Sequence, residues 1–148
     1  MTVDEVLAKF DEIHPPLSED ELLEIDANIQ ADSPSDFDEC YAGILKELKP
    51  EVIDKLLTGT ELERALLRFT LGMSIRNIWL WGGQSGVYKY FMSNGVIHPD
   101  DMSEIILDGF FNRLNGEDFD LDERIYEYKK NVVISVLTYV DNGGTRIK

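Results

Sequence analysis

The sequence predicts an all-α fold: a compact single-domain bundle of about seven to eight helices around a central apolar helix over about residues 61–81. Apolar residues recur at helical spacing along most of the chain, and helix-capping patterns separate these segments. The 148 residues, of which 43% are hydrophobic, suffice to bury a core without disulfide staples. We therefore assign residues 1–148 to one helical domain.

Two helices are predicted near the start of the chain. The apolar residues of the first follow the spacing of one face of an amphipathic helix, namely Val3, Val6, Leu7, Phe10 and Ile13. His14 is followed by two prolines, which disfavour helical geometry and end this segment. Ser18 and Glu21 then form a capping box, which begins the second helix.

Two further helices precede the apolar one. The third runs from about Ser35 and carries Cys40 and Tyr41 on its apolar side. Pro50 suits the first turn of a fourth helix, which is expected to end at Gly59. Cys40 is the only cysteine, so a disulfide framework within the chain is excluded, and we expect it to pack as a small hydrophobic residue.

The long apolar helix over about residues 61–81 is predicted to be the centre of the bundle. From Leu66 onward its apolar residues occupy nearly every side, which is typical of a helix in the middle of a fold. The exception is a stripe at four-residue steps, Arg64, Arg68, Gly72 and Arg76. We expect Gly72 to admit a neighbouring helix, and Arg76 to pair with a carboxylate of the Asp100-Asp101 helix start or of the acidic N-terminal half.

The remaining helices are predicted from glycine, proline and aspartate signals. Gly82 and Gly83 end the apolar helix, and residues 85–95 form a short one. Pro99 opens the next helix. The last helix runs from about Leu121. Residues 132–140 are β-branched enough for a strand, but helical spacing fits the whole segment better, and residues 141–148 are predicted to form a loose tail.

Negative charge is concentrated in the first part of the chain. Residues 1–63 hold 18 of the 29 acidic residues and four of the 14 basic ones, whereas residues 64–148 are nearly neutral. A net charge of −15 repels nucleic-acid phosphates and favours a basic protein partner. An acidic, soluble surface with no specific partner is the other interpretation of this charge.

Other classes of protein are excluded or disfavoured. No apolar run is long enough to cross a membrane, and the N-terminus is charged throughout, so we expect a cytoplasmic protein. Asp118, Asp120 and Asp122 resemble the opening of a calcium loop, but Glu123 replaces its glycine and Lys129 its bidentate glutamate. We therefore predict helix capping at these aspartates, no metal site and no cofactor.

The leading hypothesis is a non-catalytic binding protein. No nucleophile elbow, phosphate loop or dinucleotide fingerprint is present, so no catalytic residue is predicted. The charge predicts that the protein neutralises a basic partner, such as a toxin or defence protein, as immunity proteins and phage or bacterial inhibitors do. The predicted docking residues are Glu19, Asp20, Glu24, Asp36, Asp38, Glu39 and Tyr41.

Two stretches, "IRNIWLW" and "YFMSNGVIHPDDMS", resemble a family of small bacterial proteins of unassigned function. That family shares an Arg-Asn-x-Trp helix and a Gly-x-x-His-Pro-Asp-Asp-Met-Ser turn, and the resemblance covers about residues 66–114. It implies a bacterial origin and a compact helical unit, and it implies no activity. If the motif marks a site, the matching positions are Arg76, Asn77, Trp79, His98, Asp100, Asp101 and Ser103.

Two alternative functions stay open at this point. A small enzyme or ligand-binding protein would use a pocket at these same positions, in which Arg76 holds an anionic group and His98 acts as acid or base. A homo-oligomeric scaffold protein would instead cover the apolar helix over residues 66–81 with a second copy of the chain.

Overall fold

The computed structural model describes residues 1–143 and confirms the all-α class. Within these residues it contains no strand, and its helices are α1 (Val3–Ile13), α2 (Glu19–Ala27), α3 (Phe37–Glu47), α4 (Pro50–Thr58), α5 (Glu61–Ile75), α6 (Gly86–Ser93), α7 (Pro99–Leu114) and α8 (Leu121–Asp141). A single π-helical turn, Arg76–Leu80, continues α5. The helix predicted over residues 132–140 is confirmed within α8. Most of the predicted tail, residues 144–148, lies outside the described residues.

The helices begin where the capping signals place them. The hydroxyls of Thr2, Ser18 and Thr60 each accept a hydrogen bond from the backbone N–H three residues later, where a glutamate bonds back. Pro50 and Pro99 occupy first turns, where the missing N–H has no consequence. These contacts satisfy N–H groups that a helix leaves unpaired, so short stretches of sequence fix each start.

The most buried helix is α7, and the prediction that residues 61–81 form the central helix was wrong. Seven residues of α7 are buried, whereas α5 buries only Gly72 and Ile75 and leaves Leu66 and Phe69 exposed. The reason is that α7 packs against α3, α5, the π turn and α8. Apolar residues on every side of a helix show what could be buried, but neighbouring elements decide which sides are covered.

One carboxylate joins three helices on the side of α7 that faces α5. Arg68 of α5 donates hydrogen bonds to Glu104 Oε2 at 3.0 Å and to Asp108 Oδ1 at 2.8 Å. Arg124 of α8 donates from Nε and Nη2 to Asp108 Oδ2 at 3.0 and 2.9 Å. The predicted close approach at Gly72 is confirmed, because a Cβ there would lie 3.1 Å from Leu107 Cδ1.

The π turn changes which tryptophan faces solvent. The Trp81 N–H donates to the Arg76 carbonyl five residues earlier, instead of four as in an α-helix. The wider turn accommodates one extra residue, so Ile75 and Leu80, five positions apart, are both buried. Trp79 is half-buried, and Trp81 is 63% exposed.

A second, smaller core joins the two ends of the described chain. Val6 and Phe10 of α1 pack with Val133 of α8, apart from the main core. The Phe10 ring also fills the space beside Gly95, where a Cβ would lie 2.5 Å from its Cε1 atom. Gly95 has a φ of +85°, a left-handed conformation that glycine adopts without strain. Helices α1 and α8 therefore form a layer beside the main core.

Cys40 is fully buried, as the sequence predicts, and is expected to resist thiol reagents in the folded protein. Burial raises the pKa of its thiol, and the nearby Asp36 and Glu39 carboxylates raise it further. Because the thiolate is the reactive form, labelling should follow unfolding. The measurement is the rate of labelling in native buffer against that in denaturant. Equal rates would show that the α3–α7 contact opens freely.

Candidate protein-docking groove

The predicted docking residues do not form one site. Glu24 lines a cavity beside Gly82 and Tyr88, and Asp36 and Asp38 line a second one. Glu39 lines a third, between α3 and the π turn. The acidic residues of α2 and α3 are therefore spread over more than one face of the molecule.

Two of these residues contribute to packing. Asp38 forms an ion pair with Arg113 of α7, and this guanidinium also lies 4.7 Å from the centroid of the Phe37 ring. Tyr41 is half-buried, with its ring centroid 5.5 Å from that of Phe110. Asp38 and Tyr41 thus serve the contact between α3 and α7, and less of each remains for a partner.

The other five predicted residues keep their charge exposed. Glu19, Asp20, Glu24, Asp36 and Glu39 are exposed and form no ion pair within residues 1–143. The Asp36 carboxylate accepts from the Glu39 N–H at 2.8 Å and so caps α3. Exposed carboxylates without an internal cation attract basic surfaces at a distance.

A groove of about 860 Å³ runs between α3, α5 and the π turn. Its floor is apolar and consists of Ile44, Leu48, Leu71, Ile75, Ile78 and Trp79. Its rim carries three exposed carboxylates, Asp32, Glu39 and Glu47, with Lys46 beside them. An apolar floor with a few polar groups at its edge is typical of a binding site.

Gly43 of α3 shapes this groove. A Cβ at this position would lie 3.1 Å from Cζ2 of Trp79, so the absence of a side chain lets the indole ring lie against α3. Sequence reasoning named Glu39 and Trp79, but for two different sites. The signal that joins them is the glycine in the middle of α3, which has no capping or turn role there.

Part of the alternative pocket is brought together. Arg76 Nη1 lies 3.2 Å from Asp100 Oδ1, which confirms one of the two pairings expected for this arginine. Ser103 Oγ donates to the Asp100 carbonyl at 2.8 Å, and the Tyr128 hydroxyl donates to Asp101 Oδ2 at 2.9 Å. Burial and the Asp101 carboxylate raise the pKa of Tyr128 to about 12. These contacts fasten the start of α7 to the π turn and α8.

The rest of that pocket does not converge. His98 is exposed at the start of α7, and its side chain makes no hydrogen bond to any residue in the described range. Asn77 is exposed, and Trp79 faces the groove on α3. The five main cavities formed by residues 1–143 are not lined by Arg76, His98 or Asp100.

Fold and groove together define an all-α protein with an apolar, acid-rimmed docking surface. The chain belongs to the family described as domain of unknown function DUF6794, which matches residues 33–114. This segment contains α3 to α7 and nearly all of the groove, whereas α1, α2 and α8 lie outside it. Comparison with curated proteins and with solved structures gave no match. Along residues 1–143, no helix combines the length and apolar character needed to cross a membrane.

Proposed function

We propose that the chain is a non-catalytic acidic binding protein that neutralises a basic protein partner in the cytoplasm, as an immunity protein or a phage or bacterial inhibitor does. The observation that carries this proposal is the groove, in which exposed carboxylates surround an apolar floor. Neither feature alone would suffice, because an acidic surface attracts without specificity and an apolar groove does not select for charge.

The two parts of the groove have different roles in binding. The rim carboxylates, together with the net charge of −15, steer a basic surface toward the groove and raise the association rate. Apolar side chains of the partner then pack on Trp79 and Ile78, and this burial slows dissociation. Asp32 and Glu47 form no ion pair with any described residue, so the partner's cations need not displace internal ones.

The geometry gives less support to an enzyme. Its acid or base would be His98, which lies outside the main cavities, and its anion-binding group would be Arg76, which is paired with Asp100. A nucleophile or base must lie within hydrogen-bond reach of a bound substrate. The binding-protein hypothesis requires only an accessible surface, and the groove provides one.

A defined peptide tests the proposal. The probe is an amphipathic helix with lysine and arginine on one face and leucine and tryptophan on the other. We expect its association rate to fall about tenfold between low and physiological ionic strength. We also expect Glu47→Lys to slow association more than Glu117→Lys, which makes the same charge change after the end of α7. A rate that is indifferent to salt, or equal effects of the two variants, would contradict steering by the rim.

A blocking variant separates the groove from general attraction. Ala42 lines the groove and is exposed, so Ala42→Trp fills it without disturbing the core. We expect this variant to weaken peptide binding at least tenfold, while Ala8→Trp on exposed α1 leaves it unchanged. If Ala42→Trp binds as the parent does, the partner does not dock in the groove.

A further inference from the structure

Helix α5 carries a row of exposed apolar side chains on one face. Leu62, Leu66, Phe69 and Met73 follow one another at steps of four, three and four residues, which places them above one another on successive turns. Each is between 40% and 69% exposed. These four residues, together with Trp81, are called the α5 stripe below.

The π turn extends the stripe to Trp81. In a regular α-helix the residue seven positions after Met73 would continue the row, and that residue is Leu80. Because the π turn accommodates one extra residue, Leu80 faces the core and Trp81 takes its place on the outer face. From Leu62 to Trp81 the stripe spans about 28 Å, at the rise of an α-helix.

The size of the stripe fits a protein interface. The rings of Phe69 and Trp81 alone expose roughly 200–300 Å², since an aromatic side chain presents about 150–250 Å² in all. With its three aliphatic side chains, the stripe is at or above the upper end of the patches on typical monomers, about 300–600 Å². Together with the atoms that flank it, the stripe is comparable to the roughly 800 Å² that one partner buries in a standard interface.

Charge decides which partner suits this surface. Residues 64–99 contain no acidic residue, and the exposed residues that flank the stripe, Ala65, Thr70 and Ser74, are uncharged. A basic partner finds no carboxylate to attract it along this face. Two copies of a chain with net charge −15 repel each other, so they associate most readily where acids are absent.

We infer that the α5 stripe is the contact between two copies of this chain, which pair their α5 helices antiparallel in a symmetric dimer. In this arrangement Leu62 lies opposite Met73 of the second copy, and Leu66 lies opposite Phe69. The two Glu61 carboxylates and the two helix dipoles are then at opposite ends, whereas a parallel pair would bring like charges together. Such a contact is isologous and closes with two chains.

Sedimentation of the full chain over a range of concentrations tests the dimer. We expect a monomer–dimer equilibrium, with Trp81 fluorescence shifting toward the buried state as the dimer forms. Leu66→Glu should raise the dimer dissociation constant at least tenfold, because it places two charges in the contact. Leu23→Glu, the same change at a 64% exposed leucine of α2, should leave it within twofold. Both sites are exposed, so circular dichroism should show unchanged helix content.

The orientation is tested by engineered cysteines, since the native Cys40 is buried. Chains with Leu62→Cys mixed with chains with Met73→Cys should form a disulfide between unlike chains, because antiparallel pairing brings these positions together. Leu62→Cys alone should not crosslink. Crosslinking of Leu62→Cys with itself would overturn the antiparallel arrangement. A monomer at every soluble concentration, or assembly beyond two chains, would overturn the dimer.

Discussion

Replacing Phe10 with alanine is expected to weaken the docking of α1 on α8 by about 4 kcal/mol, within the range for truncating a buried phenylalanine. Phe10 is 1% exposed, and its ring packs with Val6, Val133 and the backbone at Gly95. Truncation removes the largest side chain of this smaller core and leaves a cavity. Few other apolar groups are present there to compensate for the loss.

The effect should be local, because the smaller core is separate from the main one. Hydrogen exchange measures this: amides of α1 should lose protection by about the full amount, and those of α7 by much less. Val3→Ala, at an exposed position of the same helix, is the control and should change neither. Equal losses in α1 and α7 would show that the whole chain unfolds as one unit.

Replacing Gly109 with alanine is expected to lower the global free energy of unfolding by about 2 kcal/mol. Alanine at an ordinary helical site stabilises by up to about 1 kcal/mol relative to glycine. At this position, however, a Cβ would lie 2.5 Å from Phe37 Cζ and 2.6 Å from Phe119 Cε2. Overpacking of this kind costs about 1–3 kcal/mol, and occasionally more, so the steric cost outweighs the gain in helix propensity.

Denaturant unfolding of single and double variants measures this effect and its cause. Phe37→Leu should reduce the cost of Gly109→Ala, because it removes the nearest ring atom. Gly116→Ala is the control: its φ is +79°, but no neighbouring atom lies within 4 Å, so only backbone strain of about 1 kcal/mol is expected. Strictly additive costs for Gly109→Ala and Phe37→Leu would contradict the steric explanation.

The features that sequence predicts well depend on few residues close together. Ser18 and Thr60 cap their helices through bonds to residues three positions later, so the pattern and the contact are the same stretch of chain. Gly72 and Arg76 were also interpreted correctly as contacts of α5 with another element. A small residue or a charge on an otherwise apolar helix restricts its neighbours strongly.

The features that sequence misses depend on how elements are arranged. Leu66 and Phe69 fit a buried helix as well as an interface, because a hydrophobic pattern does not say what covers it. The π turn has no signal in composition, since "RNIWL" would also form a regular α-helix. The groove follows from both, because its floor combines residues of α3, α5 and the π turn.

The π turn is the form that a helix takes after gaining one residue, with the surplus absorbed in a single loop of backbone. Loss of one residue there, for instance the exposed Asn77, would return the segment to regular α-helical winding. Everything beyond it would then rotate by about 100° relative to α5. A tryptophan would turn inward and a leucine outward, so a one-codon deletion would remodel this face more than any substitution in the segment.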